Sequence, residues 1–292
     1  MKELFESRPQ PADLLERTFN GDFTTIAAPS ESDFHSLWEQ AGLGNQSPET
    51  SALGGGLMAD RLAWVFIAGY QAALRAIFDD LPGTGWAAYA ATEYPGEPAD
   101  KPGTHIEETA GEWRLHGHKF WVAQSQHVSH LIVTARRNSE RPVASVLVDR
   151  HMAEVTVTHR ERPGFLPDLS QGFASFDGAV TAIPKAYPEE RARQFGHTES
   201  RYVMLAAAGF MLSHSNDAGM QDRLAAVALA LAQAGRTNAR AARAMGAIDR
   251  EFQRCVSEFS NGNQAPQTPA WQSDQKLLTM YTARIQRRAG QG

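Results

Sequence analysis

A chain of 292 residues with 28 Lys or Arg against 33 Asp or Glu carries a formal charge of −5, which leaves no basic field for nucleic acid or an anionic membrane surface. It is long enough for about two domains around a sizeable buried core. The one cysteine, Cys255, excludes an internal disulfide, Met1–Arg17 is studded with charge, and no apolar run approaches a membrane span, so a reducing, cytoplasmic setting is expected.

In chain order, residues 1–85 read as a helical region. Short helices are predicted around Ala12–Thr18 and Ser32–Gln40, broken by Pro29 and followed by the turn-rich Gly42–Pro48. From Leu57 to Leu81, Met58, Leu62, Val65, Phe66, Tyr70, Leu74, Ile77 and Phe78 recur at helical spacing and Pro82-Gly83 closes the pattern, which predicts one helix. The run Gly54-Gly55-Gly56 lacks the Lys-Ser/Thr of a phosphate loop and reads as a flexible start to that helix.

Residues 86–190 change character to short aromatic and β-branched segments between turn residues. Strands are predicted at His105–Glu108, Trp113–Val122, Leu131–Ala135, Val143–Val148, Val155–Thr158 and Gly172–Asp177, with Ala110-Gly111 and Arg136–Arg141 as hairpin turns. Their spacing implies a compact antiparallel sheet or barrel. Seven of the ten histidines fall between His105 and His159. His116 and His118 would share a strand face, but no carboxylate or cysteine pattern completes a metal site, and no metal is expected. Residues 191–292 form a helical bundle, with helices at Thr198–Ser213, Met220–Ala234, Thr237–Ser260 and Trp271–Arg288 and a polar loop from Asn261 to Pro269. Cys255 reads as a small helix residue, since no His or Asn pattern supplies activation.

Two segments carry the functional reading: Ala90-Ala91-Thr92-Glu93-Tyr94-Pro95-Gly96, and His118-Lys119-Phe120-Trp121-Val122-Ala123. Together they resemble the middle domain of the acyl-CoA dehydrogenase superfamily, whose turn reads A-L-T-E-P-x-x-G-S-D and whose hairpin strand reads G-x-K-x-W-I-T/S. Val146-Leu147-Val148-Asp149 with Val155-Thr156-Val157, and Phe173 to Val180 with Ile183-Pro184, resemble the family's later strands, so the likeness runs from Met58 to Pro184. It implies an α+β fold of N-terminal helices, a central antiparallel β-barrel and a C-terminal helical bundle, both helical parts being shorter than in ordinary members.

The resemblance also implies FAD as cofactor, an acyl thioester or related small molecule as partner, and a homodimer. Thr92 matches the threonine at the polar edge of the flavin and Trp121 the tryptophan packed at the ring. Backbone groups of Ala91, Val122 and Ala123 are the matching main-chain contacts. Taken singly, Thr92 and Trp121 are also an ordinary turn hydroxyl and a core aromatic. Ala123 stands where the family has a hydroxyl, and Glu97-Pro98 where it has Gly-Ser.

Asp274 to Thr282 resembles the D-x-R-L-x-x-I-Y-E that carries the catalytic base in many members, with Thr282 at the base position. The plain alternative is an amphipathic terminal helix. Other members place the base on a different helix, which makes Glu199 a candidate; as the charge at a helix start after Thr198 it also has an ordinary role. Arg201 with Ala206, Ala207 and Gly209 resembles the family's R-x-x-x-A-A-x-x-x-G. Arg193-Gln194-Phe195-Gly196 echoes R-x-Q-F-G with Ala192 in the arginine's place, leaving Arg236, Arg240 and Arg243 as substitutes for the diphosphate anchor. Three functions stay open: an FAD-binding oxidoreductase with weak or lost dehydrogenase activity, a non-catalytic acyl- or partner-binding relative, and a flavin-dependent monooxygenase. No catalytic residue is assigned.

Overall fold

The computed structural model describes residues 2–23, 25–93, 103–109, 112–137, 140–161, 164–181, 189–234, 239–262, 265–266 and 269–291. The chain divides into two compact units, Met1–Ala73 with Thr198–Gly292, and Leu74–His197.

The first unit is helical. It draws on α1 (Lys2–Glu6), α2 (Pro11–Phe19), α3 (Glu31–Gln40), α4 (Pro48–Met58), α5 (Leu62–Ile77), α6 (Glu189–His214), α7 (Ala218–Gln233), α8 (Ala239–Asn261), α9 (Pro269–Asp274) and α10 (Thr282–Gln291), with a 3-10 turn at Gln275–Leu278. Local chemistry sets several starts. Ser30 and Asp33 cap α3 reciprocally, each side chain accepting from the other's backbone N–H. Ser47 accepts from Thr50 N–H at 3.2 Å ahead of Pro48, and Asp217 accepts from Met220 N–H at 2.8 Å.

The helix predicted over Leu57–Leu81 is two helices. A distant segment stabilises the break: Ile26 N–H donates to the carbonyl of Met58 at 3.1 Å, Ala28 N–H to the Asp60 carboxylate at 3.0 Å, and the Trp64 indole to the carbonyl of Ala28 at 2.9 Å. The three glycines are not a flexible start. They lie inside α4, where a Cβ on Gly56 would fall on the carbonyl of Ala206 in α6, and one on Gly69 of α5 would meet the backbone of Val203. The missing side chains of Gly56 and Gly69 let helix backbones touch. The terminal helix predicted over Trp271–Arg288 is likewise interrupted between α9 and α10, where Gln253 donates to the carbonyl of Leu278 at 2.8 Å.

The second unit holds a seven-stranded sheet: β1 (Trp86–Ala90), β2 (Thr104–Thr109), β3 (Glu112–Ala123), β4 (Val128–Arg137), β5 (Glu140–Asp149), β6 (Val155–His159) and β7 (Gln171–Thr181). The order is β1-β4-β2-β3-β7-β6, with β5 also paired to β4. The antiparallel barrel expected from the sequence is not formed. β1 and β2 both run parallel to β4, and the sheet is mixed and open. The alternation of apolar side chains is the same in parallel and antiparallel pairs, so spacing alone cannot set direction. The β2–β3 ladder reaches Thr109 opposite Glu112. The predicted turn residues Ala110-Gly111 lie outside the described residues, as do Asn138-Ser139 between β4 and β5. Its core is Ile106, Leu115, Val122, Leu131, Val133, Val146, Val148 and Phe176 among others.

Candidate functional site

Beyond Gly117, which pairs with Thr104, strand β3 parts from β2 and runs alongside the segment leaving β1. There the Phe120 N–H donates to the carbonyl of Thr92 at 2.7 Å. The two segments singled out in the sequence are thus joined backbone to backbone. The β3–β7 register passes from Lys119 opposite Ala174 to Val122 opposite Gly172. Phe120 and Trp121 together therefore face Phe173 alone, a β-bulge that re-aims side chains at a sheet edge. Phe120 meets Phe173 edge-on at 5.3 Å, and the Arg160 guanidinium lies 5.2 and 5.0 Å from the two ring centres.

The Trp121 indole N–H donates to Gln171 at 3.1 Å, and Gln171 in turn donates to the carbonyl of Phe165 at 2.6 Å. This chain fixes the plane of a half-buried ring. Thr92 is exposed and Ala91 half-buried, while Val122 and Ala123 are fully buried in the ladder with β7. Glu97 and Pro98 lie outside the described residues, as do Tyr94, Pro95 and Gly96.

Sequence reasoning passed over three participants. Lys119 is wholly buried and makes an ion pair with Glu93. Gln171 is the third. A lysine between apolar residues of a strand is a signal in itself, because a buried ammonium needs a partner.

The helical unit holds a second polar cluster. Glu199 is not at a helix start: α6 begins at Glu189, well before it. Residues 189–197, rich in charge and interrupted by Gly196, hid that extension. Partly buried beside Arg284 and the buried Tyr281, Glu199 has its carboxyl pushed up to about 7 by desolvation, with the Arg284 cation opposing. Burial likewise raises the Tyr281 phenol, helped by the Glu199 charge. The carboxyl titrates near 4.5 when unfolded and about 7 when folded. The folded state therefore holds the proton more tightly between those values, and stability falls as pH rises through that window. Glu199→Gln is expected to match the wild type at pH 4.5 and to exceed it at pH 8 by at most about 3 kcal/mol. Urea midpoints at the two pH values read this out, and an equal difference at both would contradict it.

Thr282 opens α10, and its hydroxyl donates to the buried Asp249 at 3.1 Å, with Gln286 donating to the same carboxylate at 2.6 Å. It is a helix-packing contact. Arg201 donates to Glu49 at 2.9 Å and to the carbonyls of Leu231 and Ala232 at 2.7 Å each, while Ala206, Ala207 and Gly209 pack closely on the same helix. Phe195 packs its ring on Tyr89 at 4.6 Å. Arg240 and Arg243 lie exposed at the start of α8, and Arg236 is outside the described residues. Cys255 is buried in α8, which raises its thiol and disfavours the thiolate. His116 stacks on His105 at 5.5 Å. Among the described residues no three His, Cys, Asp or Glu side chains are grouped to hold a metal, and no helix is long and apolar enough to cross a membrane.

No family model and no curated protein matches the chain. Solved structures do match. A structure described as an FAD-dependent dehydrogenase superposes with a TM-score of 0.66 at 17% identity, covering 96% of each chain. The FAD complex of PigA gives 0.62 at 13% identity over 99% of this chain and 97% of that one. Butyryl-CoA dehydrogenase from Megasphaera elsdenii gives 0.60 at 12% identity over 96% and 93%. Identities this low carry a fold and not its chemistry. Over nearly its whole length, the chain has the fold of the acyl-CoA dehydrogenases.

Proposed function

We propose that the protein is an FAD-binding oxidoreductase of acyl-CoA dehydrogenase type, acting on an acyl thioester or related carrier-bound acyl group, with weak or lost dehydrogenase activity. The observation that carries this is the Phe120–Thr92 backbone bond, which sets an exposed hydroxyl beside a strand whose next residue is a fixed tryptophan. The fold shared with an FAD-dependent dehydrogenase and with an FAD complex supports it.

The residues fit a flavin at that edge. A flat ring system needs a polar contact along one side and a wall that does not turn. Thr92 and the backbone of Ala91 supply the first, with Val122 and Ala123 as the buried strand behind them, and Trp121, held through Gln171, supplies the second. FAD bound there would accept a hydride. The Ala123 methyl supplies no hydroxyl, so the edge is held by fewer donors than in the family's pattern. The purified protein is expected to show flavin absorbance or to take up added FAD. Trp121→Ala should bind it roughly tenfold more weakly with an unchanged far-UV spectrum. Wild-type protein that neither carries nor takes up FAD would sink the proposal.

Weak or absent dehydrogenation is favoured by Thr282, whose hydroxyl is engaged with Asp249 and is no base. The same observation favours the second reading, a non-catalytic acyl- or partner-binding relative. A flavoprotein spectrum with no response to any acyl-CoA would select it. A twofold homodimer is proposed on the family's pattern of completing the flavin site from a neighbouring subunit. Light scattering should give twice the chain mass at micromolar concentration, and a monomer still holding FAD would refute it.

A further inference from the structure

We infer that the ion pair between the buried Lys119 and the partly exposed Glu93 positions the flavin site, fixing the segment that carries Thr92 against the strand that carries Trp121; this rests on the FAD reading above. Strand pairing between β2 and β3 ends at Thr104 and Gly117, so beyond it the Ala91–Glu93 segment lacks a ladder partner in β2. Besides the Phe120–Thr92 backbone bond, side chains hold it there. The Lys119 ammonium reaches the Glu93 carboxylate and the Thr134 hydroxyl of β4, the latter at 3.0 Å. The other Glu93 oxygen accepts from the Thr104 hydroxyl at 3.2 Å, and that hydroxyl lies 2.9 Å from the carbonyl of His118. The Thr134 hydroxyl is 3.5 Å from the carbonyls of both Ala90 and Ala91.

The network thus grips the chain on both sides of Thr92 and leaves Thr92 itself exposed. An ion pair whose ammonium is buried is a poor means of raising stability, because desolvation of Lys119 offsets much of the attraction to the partly exposed Glu93. What it supplies is direction: an ammonium satisfied by a carboxylate and a hydroxyl from different segments holds them in one geometry. Lys119 and Glu93 are accordingly positioning residues rather than catalytic ones.

The test uses the full-length protein carrying Lys119→Met together with Glu93→Gln, which removes both charges at nearly constant volume and leaves no lone buried ion. The double variant without FAD is expected to keep the wild-type urea midpoint. It should bind FAD at least tenfold more weakly, and the flavin it does bind should lose the shape of the wild-type visible circular dichroism band. Wild-type affinity and band shape in the double variant would overturn the inference. Failure of the variant to fold would overturn it too, since the pair would then sustain the sheet itself. Wild-type protein that binds no FAD would instead refute the flavin reading first, and this inference with it.

Discussion

Loaded with FAD and mixed anaerobically with saturated acyl-CoAs of several chain lengths, the protein is expected to bleach on the order of 100 to 10,000-fold more slowly than an enzyme with a placed base. The α-proton of a thioester is weakly acidic, and hydride can leave the β-carbon only as that proton is taken. The position that the resemblance assigns to the base is Thr282. Its hydroxyl cannot accept a proton near neutral pH, and it already donates to the buried Asp249. Glu199 is the carboxyl to watch, because desolvation brings it to about 7, the range in which proton transfer in either direction is cheap. Slow bleaching by all chain lengths is the expected result. Rapid bleaching lost in Glu199→Gln would assign the base to that residue, and rapid bleaching that survives it would show a base elsewhere.

Gly56→Ala is expected to destabilise the protein by about 3 kcal/mol or more, at the upper end of what overpacking costs. The added Cβ would stand about as close as 2.6 Å to the backbone carbonyl carbon of Ala206. Backbone cannot swing aside as a side-chain tip can, so α4 and α6 must part, and with them the contacts of Leu53 and Leu57, both fully buried. Gly164→Ala is the control, since nothing lies within 4 Å of its Cβ position; it should change stability by less than about 0.5 kcal/mol. Denaturation by urea gives both numbers. A Gly56→Ala midpoint equal to that of the control would mean that the helices do not meet there.

Much of the fold was legible where a segment's own pattern decides its structure. The strand containing Trp113–Val122, the helix over Ser32–Gln40 and the helix from Met220 carry their periodicity and caps within themselves. What escaped was decided at a distance. The break between Met58 and Leu62 depends on Ile26 and Ala28, and apolar spacing runs through it without a mark. Strand β1, Trp-Ala-Ala-Tyr-Ala, has three alanines of low strand propensity and is extended because β4 pairs with it. The direction of that pairing is equally invisible in alternation.

The candidate site was legible as two motifs in the right order, because Thr92 and Trp121 sit in runs whose letters resemble a known pattern. Their physical connection was not legible. The bulge that pairs Phe120 and Trp121 with Phe173 and the Lys119–Glu93 tether arise only once β3, β4 and β7 are assembled.

The parallel pairing of β1 with β4 also orders events in time. Ala87–Ala90 must find His130–Val133, which come much later in the chain, whereas the paired Thr109 and Glu112 of β2 and β3 are separated by only two residues and can meet at once. Closing the longer loop is the slower search. The segment Ala91–Glu93 is therefore expected to be set in place after the hairpin exists and β4 has arrived, which would make the edge bearing Thr92 a late-forming part of the sheet. Local opening is expected to begin at such an edge, and a ligand held there should protect it first, which hydrogen exchange with and without FAD would read.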